Sequence, residues 1–101
     1  MREGGKRTIR RGGWPETVLT LPADRGTDWA VRLGTTAAAT VWVTLRGLAG
    51  DETLIEQQIA AEDGVVRVTL PVVLAGELLI ISAAADTGTT VRAEVGWRAE
   101  R

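Results

Sequence analysis

No cysteine, histidine, tyrosine, phenylalanine or asparagine occurs in the 101 residues, serine occurs once (Ser82), and one lysine (Lys6) stands beside eleven arginines. Each gap removes a class of chemistry. Without cysteine there is no disulfide framework, no thiolate nucleophile and no zinc site of the Cys/His type, and the redox compartment leaves no trace. Without histidine, Ser82 has no imidazole to activate it. Lys6 lies among glycines and arginines near the start of the chain, not in the desolvated pocket that a Schiff-base lysine needs. Without asparagine there is no N-glycosylation acceptor. The longest apolar run, Val65 to Ala85, is broken by Arg67, Pro71 and Glu77 and falls short of the roughly 20 apolar residues of a membrane helix. No apolar stretch follows the first charges, so no cleavable signal peptide is expected.

What is present describes a globular domain. Hydrophobic residues make up 45% of the chain and charged residues 25%, as in folded proteins, and the length fits one core. The excess of arginine over lysine, with abundant Ala, Val and Gly, is associated with high-GC coding, which suits a bacterium or its phage. Charge is unevenly placed within a net of −1. Residues 1–11 hold five cations against Glu3, a net +4, whereas residues 12–101 hold seven arginines against twelve acids, a net −5. Two Gly-Gly pairs, Gly4-Gly5 and Gly12-Gly13, flank the basic cluster and raise the cost of ordering it. Residues 1–15 are therefore expected to form an extended basic N-terminal arm on an acidic domain of residues 16–101.

Alternation organises that domain. Thr40 to Arg46 places Val41, Val43 and Leu45 on one face and Thr40, Trp42, Thr44 and Arg46 on the other. Thr17–Leu21 is a short strand closed by Pro22, and Asp28–Leu33 turns Trp29, Val31 and Leu33 inward. Residues 52–62 fit a helix through Leu54, Ile55, Gln58 and Ile59, and a strand through Thr53, Ile55, Gln57 and Ile59; strand is preferred because every neighbour reads as one. Glu62-Asp63-Gly64 reads as a turn, Val65–Leu70 as a strand, Val72–Gly76 as a connection, and Glu77–Ala84 as a strand covered on both sides. Asp86-Thr87-Gly88 reads as a hairpin turn into Thr89–Arg98, with Val91, Ala93, Val95 and Trp97 inward and Gly96 marking a bulge or a close backbone approach. Seven to eight short strands at regular spacing predict an all-β, single-domain antiparallel β-sandwich, jelly-roll or Ig-like.

Few candidate sites survive. Asp24 with Asp28, Asp51 with Glu52, and Glu62 with Asp63 are formal carboxylate pairs, but each falls in a predicted turn, where acids serve solubility and turn hydrogen bonds. None has the spacing of a twelve-residue calcium loop, and Gly47-Leu48-Ala49-Gly50 lacks the lysine of a phosphate loop. No catalytic set, metal site or cofactor is expected. Nucleic acid contact rests on the basic arm alone, since the acidic body repels phosphate. Trp29 and Trp97 belong to the core, and Trp14 marks the junction at Pro15. Trp42, amid Thr40, Thr44 and Arg46, suits cover by the arm or a loop of its own chain, a subunit contact, or a sugar platform.

The leading expectation is a non-enzymatic structural or assembly module. It would dock on a larger protein assembly, or on copies of itself, through Arg7, Arg10, Arg11, Trp14, Trp42 and Arg46, as a capsid-decoration, head or tail accessory protein in a phage virion does. The alternative is a carbohydrate-binding module built on Trp42.

Overall fold

Period-two alternation is realised in eight strands: β1 (Arg2–Ile9), β2 (Glu16–Pro22), β3 (Gly26–Thr35), β4 (Ala39–Gly47), β5 (Gly50–Ile59), β6 (Val65–Arg67), β7 (Leu78–Ala84) and β8 (Thr89–Ala99). The computed structural model describes residues 1–23, 26–60, 65–68 and 77–99. The predicted turn at Glu62-Asp63-Gly64, the end of the strand predicted to reach Leu70, the Val72–Gly76 connection and Asp24 lie outside them.

The strands form two antiparallel four-stranded sheets, ordered β1-β8-β3-β6 and β2-β7-β4-β5. Only β4 and β5, joined by a hairpin pairing Gly47 with Gly50, are consecutive strands paired in one sheet. Every other connection among these strands crosses between sheets, and the first strand pairs with the last. Eight strands in this order make the β-sandwich a jelly roll rather than a seven-stranded Ig-like sandwich.

The apolar faces meet between the sheets. Val41, Val43 and Leu45 of β4 and Leu79, Ile81 and Ala83 of β7 pack against Val31 and Leu33 of β3 and Val91, Ala93 and Val95 of β8 in one continuous core. Trp29 and Trp97 join it from neighbouring strands of one sheet, their rings stacked with centroids 5.1 Å apart and planes 28° apart. The outer side of β7 is largely covered too, with Ile80 and Ala84 buried, as its continuous apolar run predicts.

Three expectations are corrected. The first concerns the arm: residues 2–9 are β1, the edge strand of the first sheet, paired along their whole length with β8 from Arg2 opposite Gly96 to Ile9 opposite Thr89. Ile9 is 0% exposed. An edge strand keeps one face and one edge in water, so it carries arginine, lysine and glutamate as readily as a disordered arm does. Gly5 meets a packing demand, because a Cβ there would lie 2.9 Å from the Val18 carbonyl oxygen. Gly12 and Gly13 take φ of 125° and 77°, values that suit glycine in a tight turn.

Second, Asp86-Thr87-Gly88 is not a hairpin turn; it carries the chain from β7 in one sheet to β8 in the other. Third, the bulge near Gly96 sits on the neighbouring strand, β3. The β3–β8 register shifts between Thr27 and Ala30, so that Asp28 and Trp29 together oppose Trp97. Asp28 takes φ of 55°, a conformation aspartate tolerates better than most residues.

Residues 50–59 are a strand, as preferred. The β4–β5 register shifts beside Thr44, where Leu54 is the extra residue. That bulge leaves Leu54 and Ile55 both half-buried against the core, which is why the segment also fits helical spacing.

Thr89 is the one buried polar residue among those described, at 3% exposure. Its hydroxyl accepts the Ala37 amide at 2.9 Å and lies 2.8 Å and 3.2 Å from the hydroxyls of Thr36 and Thr35. These bonds tie the β3–β4 connection to the start of β8. Thr89→Val keeps the shape but leaves the Ala37 amide with only its longer, 3.4 Å bond to the Thr35 hydroxyl and takes a partner from the Thr36 hydroxyl, and is expected to cost about 1–3 kcal/mol in a urea unfolding experiment. A loss no larger than that of an exposed Thr20→Val would show that the network is not formed.

Candidate functional site

Pairing across the second sheet lays out its outer face in rows. Thr40 stands between Ala84 and Gln58, and Trp42 between Ser82 and Glu56. Below them lie Thr44 beside Ile80 and Thr53, then Arg46 beside Leu78 and Asp51. The β4–β5 side of the face carries hydroxyl, amide and carboxylate groups with one indole near its upper end, and the β7 side carries Ala84, Ile80 and Leu78. Trp42 therefore points outward, as alternation predicts, and is half-buried.

At that end three connections converge. The β3–β4 loop supplies Ala38, the β7–β8 crossing supplies Ala85 and Asp86, and the β1–β2 turn supplies Gly13. With Ala39, Thr40, Trp42, Gln58 and Ala84 they line a cleft of about 260 Å³. The turn is pinned, since Gly13 N–H donates to the Ala85 carbonyl at 3.1 Å and Arg11 bridges to Ala85. Next to Gly13, Trp14 is 79% exposed. Two tryptophans thus mark one end of the molecule, one in the cleft wall and one on the surface beside the turn.

The arginines expected to join them fare differently. Arg46 is committed to its own hairpin: Nε and Nη2 donate to the two Asp51 carboxylate oxygens at 2.8 and 3.0 Å, a bidentate pair on the exposed face of the sheet. Arg7 and Arg10 close on Glu16, at 3.3 and 3.6 Å, and Arg7 also donates to the Thr17 carbonyl. Arg11 is exposed near the tryptophan end. The expected contact set accordingly divides. Trp14, Trp42 and Arg11 share one end, while Arg7, Arg10 and Arg46 serve ion pairs within the fold.

Glu16 is the hub of the β1–β2 corner. The Arg10 backbone amide donates to it at 2.7 Å, and this bond, reinforced by the charges of Arg10 and Arg7, holds its carboxyl below the usual range. Asp51 is lowered as well, chiefly by the hydrogen bonds from Arg46. A carboxyl lowered in the folded state contributes stability that is present above its unfolded value, near 4, and is lost as pH falls through the folded value. Acidification below about pH 4 is therefore expected to lower the urea midpoint of the wild type more than that of Glu16→Gln, which retains Asp51. Equal losses would show that the corner is not formed.

Of the formal carboxylate pairs, Asp24, Glu62 and Asp63 lie outside the described residues; among those described, no three potential metal ligands gather. Asp51 is held by Arg46, and Asp28 faces Arg98 at 3.6 Å. No helix among the described residues is long and apolar enough to cross a membrane.

No family model matches the chain, and no curated protein matches it. Among solved structures, a crystal structure of PirA aligns over 94% of this chain and 93% of its own, with a TM-score of 0.56 at 9% identity. The likeness is one of fold. A chain in the structure of infectious bursal disease virus, Gt strain, aligns over 94% of this chain but 30% of its own, with a TM-score of 0.31 at 13% identity, too low to bear on either fold or function.

Sequence reasoning missed the cleft. Gln58 was one residue in an ambiguous segment, and Asp86 had the look of a turn acid. The one available signal was the β5 alternation, which puts Gln58 on the same side as Glu56, the face Trp42 shares once β5 pairs with β4.

Proposed function

We propose that this chain is a non-enzymatic structural module that docks, beside copies of itself, on a larger protein assembly through its tryptophan end, as a phage virion accessory protein does. The observation that carries the reading is Trp14, an indole 79% exposed yet mounted on a turn pinned by the Gly13–Ala85 hydrogen bond. An ordered, exposed tryptophan with an arginine nearby has the composition of an interface hot spot. Arg7 and Arg10 are engaged by Glu16, which leaves less of the basic segment for nucleic acid. Jelly rolls recur in viral capsid and lectin domains, which is compatible with this role, although a fold alone does not select a function. The absent histidine and cysteine, and the single serine, support a binding role over a catalytic one. A carbohydrate-binding role is the second reading, favoured by the cleft.

Light scattering over about two decades of concentration tests the docking reading by mass action. The apparent mass should climb above the 10.8 kDa of one chain, and Trp14→Ser should hold it there. A wild-type protein that stays at the monomer mass throughout contradicts the reading.

A further inference from the structure

We propose that the Trp42 cleft is a binding site for one neutral sugar residue, stacked on the indole and hydrogen-bonded by Thr40, Gln58 and Asp86. This rests on the carbohydrate-binding reading above, names its ligand class, and uses residues other than those of the docking reading. The ligand class follows from the lining. No lysine or arginine lines the cleft and Asp86 does, so an anionic ligand such as a nucleotide or a sulfated or sialylated glycan meets repulsion without a countercharge. An apolar ligand would remove water from Gln58, Thr40 and Asp86 while offering them nothing in return. A quaternary ammonium group is recognised by a cage of aromatic walls, whereas this cleft has a single indole. What remains is a neutral ligand with an apolar face and a hydroxylated rim. A pyranose has both: its axial C–H bonds suit a flat π surface, and its hydroxyls both donate and accept.

Size and rigidity agree. About 260 Å³ is below the roughly 300–1,000 Å³ of sites for drug-sized ligands, so the cleft takes one ring and leaves the rest of a glycan outside. Two of its walls are fixed by bonds described above, the β3–β4 connection by Thr89 and the β1–β2 turn by Ala85, so little ordering cost falls on binding. Thr40 and Gln58 are cross-strand partners, which presents a hydroxyl and an amide side by side next to the indole.

The intact chain should be titrated with glucose, galactose, mannose, N-acetylglucosamine, N-acetylgalactosamine and short oligomers of each. Tryptophan fluorescence is the readout, alongside a glycan array. At least one neutral sugar should change the emission saturably, with a Kd on the order of millimolar for a single ring. Gln58→Ala should weaken binding tenfold or more without moving the thermal midpoint, and Trp42→Ala should weaken it at least as much at temperatures where the variant is still fully folded, whereas Trp14→Ser should leave the Kd unchanged while acting on mass in solution. Failure of this site and failure of the docking reading are thereby told apart. Absence of binding to any neutral sugar, binding restricted to anionic glycans, or binding that survives Trp42→Ala overturns the proposal.

Discussion

Trp29→Ala is expected to lower the free energy of unfolding by about 3–5 kcal/mol. For a domain of this size, whose total stability is of order 5–15 kcal/mol, that is a large share and leaves a protein that unfolds far earlier in urea. The side chain is 1% exposed and its ring stacks on Trp97 at 5.1 Å, so truncation loses the burial of a large indole, opens a cavity beside Trp97 and removes an aromatic pair. The site has little freedom to collapse, because Trp29 stands in the bulge that opposes Trp97 and its carbonyl accepts the Val68 amide at 3.1 Å. Trp14→Ala provides the contrast within the same chain. An exposed residue away from caps and core is expected to change stability by no more than about 0.5 kcal/mol. Equal costs for the two variants would mean that the stacked pair is not in the core.

The second large effect comes from two adjacent glycines. Gly5→Ala is expected to cost about 1–3 kcal/mol through overpacking, because the new methyl would sit 2.9 Å from the Val18 carbonyl oxygen and 3.3 Å from a Leu19 methyl. The carbonyl is backbone and cannot swing away, so β1 must shift relative to β2. At Gly4 the corresponding distance, to the Ala93 carbonyl, is 3.4 Å, at the edge of ordinary contact. Gly4→Ala is expected to be close to neutral, since the tight contact is offset by a less flexible unfolded chain. A free arm makes no such distinction between neighbours. Measured urea midpoints for the pair should therefore differ clearly, and identical midpoints would contradict the packing of β1 on β2.

These residues also show where the fold could be read from the chain. Along β4 every second side chain is apolar and buried, and the same rule set the faces of β3 and β8 around Trp29 and Trp97. Pattern failed where the cause of a residue is far away in sequence. Ile9 is buried by strands some 70 to 80 positions later, and nothing near it announces that β8 is waiting. Its glycines and charges have two meanings locally, a loose tail or an edge strand packed at Gly5, and only the pairing decides. At Leu54 a bulge broke the period-two rhythm and lent a strand the spacing of a helix. The cleft was illegible for a related reason. Its residues come from four separate parts of the chain, and none of Gly13, Ala38, Gln58 and Asp86 carries a motif by itself. Trp42 alone was singled out, because an indole among threonines on an otherwise polar face is conspicuous in sequence as well as in space.

The central claim is that the basic N-terminal residues belong to the fold, so that recognition falls to the tryptophan end. Residue-resolved amide exchange tests it most directly. Met1 and Trp97 exchange both of their backbone hydrogen bonds, at 2.8 and 2.9 Å, and in an antiparallel ladder such pairs recur at every second residue. The amides of Glu3, Gly5, Arg7 and Ile9 therefore point into β8, and those of Arg2, Gly4, Lys6 and Thr8 point to the open edge. The expected result is alternating protection along residues 2–9, with the odd positions slow and the even positions fast. Uniformly fast exchange across this segment would contradict the account and return Arg7, Arg10 and Arg11 to a free arm.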